Sequence, residues 1–161
     1  MAAAVAIIAA MDFPAIAELL PHAGAMLLLR RVVAHDEHQT TCAVDVADSA
    51  LFRRGDGTIP AFVAIEYMAQ CIAAHGGLRA RAGGAPVRVG LLLGTRRVNL
   101  HAAHFASAAP LRVTARHAHG SGGMLSFDCS VWSSDETPLA EGRLNVYIPE
   151  DPDQLLETLQ K

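Results

Sequence analysis

Residues 60–81 read PAFVAIEYMAQCIAAHGGLRAR, a run with the length and composition of a central helix. Pro60 suits a helix start, because its fixed φ fits there and its missing N–H would be unpaired in any case. From Ala61 to Ala74 every residue is apolar except Glu66 and Gln70. A helix that is apolar all round is buried on all sides. The alanines at 61, 64, 69, 73 and 74 let sheet or partner backbone come close. The helix is predicted to end near Gly76-Gly77, where glycine lowers helix stability. Glu66 is the exception in the run, since an ionised carboxylate in such surroundings is costly unless it is paired, and the neutral form is then favoured. Gln70 lies one turn further on the same face, so that face is a candidate cavity lining. A buried acid on an apolar helix marks a candidate functional site; the plainer reading is a carboxylate bonded to backbone or to Gln70.

Working outward, Asp12 is placed to cap a short helix with Pro14 in its first turn, running through Ala17 to Leu20 and stopping at Pro21. Met26 to Val33 reads as a strand, and Thr40 to Val46 alternates with the period of a half-buried strand. Ala47 to Ile59 reads as a loop holding Phe52, Arg53 and Arg54. Beyond Gly83-Gly84-Ala85-Pro86 come four more strands: Val87 to Thr95, then alternating runs centred on Val113, Cys129 and Val146. Gly120–Gly123 and Ser133–Thr137 supply hairpin connections. Two strands, one long helix and four strands fit an α+β architecture, an antiparallel sheet curled around a single helix. One helix cannot cover both edges of such a sheet, so a dimer that continues it is expected. The expected organisation is a disordered N-terminal extension over 1–11, one domain over 12–150, and a short helical tail over 151–161 carrying Leu155, Leu156 and Leu159.

With 161 residues, 52% hydrophobic and 18% charged, the chain is long and apolar enough for one packed core. A net charge of −3 gives no reason to expect nucleic acid. The apolar opening run has no basic side chain ahead of it and is too short for a bilayer; no other run is longer. No membrane association and a cytoplasmic location are therefore expected. Cys42, Cys71 and Cys129 are odd in number, lack CxxC spacing and read as buried thiols in a reducing compartment. The pairs His35 with His38, His101 with His104 and His117 with His119 have no Cys or carboxylate at a recognised ligand spacing, so neither metal nor other cofactor is expected.

Two motifs carry a family resemblance. Residues 20–29, LPHAGAMLLL, are similar to the Leu-Pro-His opening of FabZ-type 3-hydroxyacyl-[acyl-carrier-protein] dehydratases. Residues 65–70, IEYMAQ, are similar to the central-helix motif of that family, and Gly90 to Val98 resembles the strand that follows. The resemblance spans about residues 13 to 149 and is nearest to the ApeP-like branch, associated with aryl polyene clusters, which shares Leu-Pro-His, Pro-Ala and Ile-Glu-Tyr-Met-Ala-Gln. It implies a hotdog fold and a place in fatty-acid or aryl-polyene-type synthesis, removing water from a 3-hydroxyacyl thioester on acyl carrier protein. That reaction needs a base for the Cα proton, an acid for the departing hydroxyl and donors for the thioester oxygen.

In the family a His in a His-Phe-Pro-Gly segment and the helix Glu share the proton transfers, backbone N–H groups at the helix start hold the carbonyl, and these groups meet across a dimer interface. Here the position fourteen residues before Glu66 is Phe52, and no His lies between His38 and Glu66. The acid is retained and the usual base is not. Either His22 or another His is the base, or a partner dehydratase supplies it, or the pocket is degenerate and the chain stabilises a sister subunit; the ApeP-like branch favours the last two. A hotdog thioesterase, using the same helix carboxylate with water, is a further alternative. The resemblance implies Glu66 as the catalytic acid, and His22 is the candidate base from within this chain, although after Pro21 its plainer role is to bond backbone. Phe52, Pro60, Ala61, Phe62 and Gln70 are the candidate substrate-binding residues. Arg53 and Arg54 would dock the acidic acyl carrier protein. The expected assembly is a homodimer, or a heterodimer with a second dehydratase subunit.

Overall fold

A computed structural model of the chain describes residues 12–106, 108–151 and 153. The expected N-terminal extension and nearly all of the expected C-terminal tail, with Leu155, Leu156 and Leu159, lie outside the described residues. Strands β1 (Leu29–His35) and β2 (Gln39–Asp45) form a hairpin, and a 3-10 segment over Val46–Phe52 follows. The short strand β3 (Ile59–Pro60) leads through a 3-10 turn, Ala61–Val63, into helix α1 (Ala64–Ala82). After it come β4 (Leu91–Leu100), the two-residue β5 (His104–Phe105), and the long strands β6 (Pro110–Ser121), β7 (Met124–Ser133) and β8 (Pro138–Tyr147).

Six strands form one sheet in the order β1-β2-β6-β7-β8-β4, and every pair is antiparallel. Helix α1 lies against one face, touching β1, β2, β6, β7 and β8. The alternation read from sequence is what builds this face. Leu111, Val113 and Ala115 of β6, Phe127, Cys129 and Val131 of β7, and Ala140, Leu144 and Val146 of β8 are all buried. They meet Tyr67, Met68, Cys71, Ile72 and Leu78 from the helix. This is the sheet-around-a-helix arrangement expected of a hotdog fold. The β3–β5 ladder, Ile59 opposite Phe105 and Pro60 opposite His104, is an addition. Two residues per strand are too few to show a period.

Local boundaries differ from expectation: β1 covers Leu29–His35 and not Met26–Val33, β4 covers Leu91–Leu100 and not Val87–Thr95, and three further places depart more in kind. Asp12 caps no helix: a 3-10 turn over Ile16–Glu18 starts at Ala15, with no side-chain cap bond. The segment after β2 is not an open loop, because Asp45 accepts a hydrogen bond from Ala47 N at 3.0 Å and starts the 3-10 segment. Helix α1 does not stop at Gly76-Gly77 but runs on to Ala82. Packing explains the last case. A Cβ at Gly77 would stand 2.5 Å from the Leu19 carbonyl oxygen, so glycine is what lets the Ile16–Leu19 segment lie on the helix. At Gly76 a Cβ would meet nothing within 4 Å. The two neighbours should therefore respond to alanine with opposite signs. Gly76→Ala is expected to stabilise by about 0.5–1 kcal/mol, and Gly77→Ala to destabilise by about 1–3 kcal/mol. Urea midpoints of the two variants check this, and a matching sign at both positions would refute the packing argument.

The sheet has two free edges. Strand β1 carries Arg30 and Arg31 exposed and is bulged twice. Strand β4 carries three exposed leucines, Leu92, Leu93 and Leu100. Among the described residues no helix is long and apolar enough to cross a membrane.

Candidate functional site

Glu66 sits in the first turn of α1, at the end of the helix where the dipole favours negative charge. The segment linking the Ile16–Glu18 turn to β1 starts on the helix beside Gly77, crosses to Glu66 and Gln70, and is held by Leu19, Leu20 and Leu28, all buried. That segment carries His22, whose Nε2 lies 3.3 Å from Glu66 Oε1. The two side chains are 28% and 30% exposed, so Glu66 is not enclosed as the all-apolar reading of the helix implied. The sheet covers one side of α1, while the Glu66 face is only roofed by the crossing segment. His22 does not bond backbone either: its Nδ1 is buried and has no hydrogen-bond partner among the described residues.

Gln70 ties the two together. Its Nε2 donates to Glu66 Oε1 at 2.9 Å and to the Met26 carbonyl at 2.6 Å, while its Oε1 accepts from Leu28 N at 3.0 Å. Both amide protons and one lone pair are thus used in a side chain that is fully buried. One residue aims the carboxylate and clamps the chain that carries the imidazole.

The remaining sequence-derived site residues spread around this end of the fold. Phe52 is half-buried at the end of the 3-10 segment and packs on the core. Pro60 is buried in β3, and Ala61 is buried with its N–H donating to the Ala103 carbonyl at 3.1 Å. Phe62 is 57% exposed. Arg53 and Arg54 are both exposed; Arg53 Nη2 donates to the Ala47 carbonyl at 3.0 Å. Among the described residues neither arginine bonds to Glu66 or His22, the two residues the structure does bring together.

A second polar cluster has no signal in sequence spacing. Thr40 Oγ1 shares hydrogen bonds with His35 Nδ1 at 2.7 Å and His75 Nδ1 at 2.9 Å. Burial, with His35 and Arg79 adding to it, lowers the pKa of His75 to about 4. A histidine lowered from 6.5 in the unfolded chain takes up its proton more readily when unfolded, so stability should fall as pH drops from 6.5 to about 4. A tenfold change in proton affinity is worth about 1.4 kcal/mol, so up to about 3 kcal/mol of stability is at stake across this window. Urea unfolding at both ends of it should show a smaller pH difference for His75→Gln than for the native chain; equal differences would refute the assignment. Cys42, Cys71 and Cys129 are free and buried, and burial pushes the thiols of Cys71 and Cys129 well up. Among the described residues no three His, Cys, Asp or Glu converge as metal ligands.

Known proteins resemble the chain at two levels. A model of the ApeP-like family, ApeP dehydratase, matches residues 14–157. No curated protein sequence matches it. Among solved structures, the dehydratase heterocomplex ApeI:P from Xenorhabdus doucetiae superposes with a TM-score of 0.86 at 27% identity, covering 92% of this chain and 99% of that one. The PaaI protein of E. coli (TM-score 0.56, 14% identity, 72% of this chain and 80% of that one) shares the fold alone. So does a hypothetical thioesterase with coenzyme A from Streptococcus pneumoniae TIGR4 (TM-score 0.56, 11% identity, 74% and 84%).

Proposed function

The chain belongs to the ApeP-like dehydratase family, and from that premise we propose that it serves the elimination of water from a 3-hydroxyacyl thioester held on acyl carrier protein. The observation that carries this reading is His22 Nε2 at 3.3 Å from Glu66 Oε1, at a half-open helix start. In the reaction a base takes the Cα proton, the bond from C3 to its hydroxyl breaks, and an acid protonates the departing oxygen to give water and a 2-enoyl thioester. We assign His22 Nε2 as the base and the Glu66 carboxyl as the acid. Since Nδ1 is buried, Nε2 is the nitrogen that a substrate can reach. After one turnover the imidazole holds the Cα proton and Glu66 is a carboxylate. Passing that proton from Nε2 to Oε1 restores the starting pair.

The thioester oxygen would sit near the 3-10 turn that opens the helix, where N–H groups and dipole meet developing negative charge. The Ala61 N–H is committed to Ala103, so the donors begin at Phe62. Phe52, Pro60 and Phe62 would wall the acyl group. Gln70, with no donor to spare, is a positioning residue. Arg53 and Arg54, exposed beside the same end, would meet the acidic carrier. Strand β4, with its exposed leucines, is the edge that would continue into a partner subunit. Free buried thiols are in keeping with a cytoplasmic setting.

Two observations favour a second reading. Phe52 occupies the position that the resemblance gives to the family histidine, and a matched structure is a heterocomplex. On that reading the chain stabilises a catalytic sister subunit. Incubating the purified chain, alone and with a sister subunit, with a 3-hydroxyacyl carrier-protein thioester separates the two. Enoyl thioester formed by the chain alone is the expected result; activity only in the mixture selects the second reading. Release of free acid and thiol would refute both.

A further inference from the structure

A cavity of about 520 Å³ opens at the other end of α1, between the helix and strands β6 and β7. It is not the Glu66 site. His75, in its lining, follows Glu66 by nine residues, which on an α-helix is about 13 Å along the axis and half a turn around it. Its volume is that of small-molecule sites.

The lining has three kinds of surface. Ile72, Leu125, Phe127 and Ile148 make apolar walls. The imidazoles of His75 and His117 flank Phe127, with ring centroids 5.7 and 5.4 Å from it. Both have a nitrogen without a partner. His75 is only 4% exposed and spends Nδ1 on Thr40, and among the described residues nothing bonds its Nε2. His117 Nε2 is buried and equally unpartnered. Such nitrogens cost free energy unless something polar reaches them. At the rim stand Arg79 and Arg88, each bonded through one nitrogen to a backbone carbonyl, of Glu37 and Pro149 respectively. A guanidinium has five N–H donors, so both keep donors for a ligand. Against these two cations the lining has, among the described residues, a single carboxylate, that of Glu37.

We propose that this cavity binds an organic carboxylate whose apolar body ends in a hydroxyl or carbonyl group. The carboxylate pairs with Arg79 and Arg88, in the charge-assisted geometry that guanidinium favours. The body lies along Ile72, Leu125, Phe127 and Ile148. The far polar atom reaches His75 Nε2, and Thr40 lets His75 present either a donor or an acceptor there, according to how the hydrogen bonds to His35 and His75 are directed.

The test uses the full chain, titrated with ω-hydroxyoctanoate, octanoate and octanol while the imidazole resonances are followed by NMR. The hydroxy acid should bind best, octanoate about tenfold more weakly and octanol more weakly still, with shifts at His75 and His117 and none at His22. The double variant Arg79→Gln, Arg88→Gln should weaken both acids by about tenfold or more and leave octanol unchanged. His75→Phe should erase the preference for the hydroxy acid while retaining octanoate. Absence of binding at millimolar acid, an unchanged affinity in the arginine variant, or shifts confined to His22 would each overturn the proposal.

Discussion

Glu66→Gln lowers enoyl thioester formation by about 10²–10⁴-fold, the usual contribution of a positioned general acid, and leaves the protein folded. The second half of that expectation follows from the hydrogen bonds. Both contacts are made to Oε1, so a glutamine at 66 with its carbonyl oxygen in that place still accepts from Gln70 Nε2 and, in the tautomer that carries the proton on Nε2, from His22, and the contacts at 2.9 and 3.3 Å survive in kind. What disappears is the transferable proton. The side chain is 30% exposed, so the change uncovers no buried charge and the thermal midpoint should stay within a few degrees of the native one. His22→Asn is the companion, retaining a polar side chain without a basic ring nitrogen, and should be equally slow. The two losses should not add, because base and acid act as one unit and either change alone disables it. Measured on the isolated chain and again with a sister subunit, normal turnover by Glu66→Gln in both settings would remove Glu66 from the chemistry. Normal turnover only with the sister subunit would place the reaction in the sister's own site.

How far the sequence could be read depends on the distance over which each feature is encoded. Alternation within a strand is local, so β6, β7 and β8 were legible from Val113, Cys129 and Val146 and their neighbours. Glycine's cost in a helix is local too, and it misleads at Gly76-Gly77, because what keeps the helix going there is the approach of Leu19, far off in sequence. Glu66 and Gln70 stand out as the polar pair on an apolar run, yet the run alone says nothing about which side the sheet takes. Hence the acid reads as enclosed although its face is only roofed by the His22 segment. The links that make the site, Gln70 to Met26 and to Leu28, join residues more than forty positions apart, and no spacing rule reaches them. The same holds for His75 with Thr40, separated by 35 positions.

Those long-range links set the size of the other large effect. Gln70→Ala removes the acceptor for Leu28 N and the donor to the Met26 carbonyl, at a residue that is fully buried. Leaving buried backbone groups unpaired costs about 1–3 kcal/mol, to which the vacated volume adds, so a destabilisation of about 2–4 kcal/mol is expected. In a chain of this length that is a fall of roughly 5–15 °C in the thermal midpoint. Turnover should fall as well, below the unfolding temperature, because Glu66 and the His22 segment lose their common anchor. Gln70→Glu tells positioning from mere packing. Its volume is nearly conserved and one oxygen still accepts from Leu28 N, but the other, when ionised, faces the Met26 carbonyl and Glu66 with no proton to give. Protonation restores one donor, so turnover by Gln70→Glu relative to the native chain should rise as pH is lowered. A ratio that is flat with pH, or a Gln70→Ala variant with native turnover and native midpoint, would show that the clamp plays no part in aligning the pair.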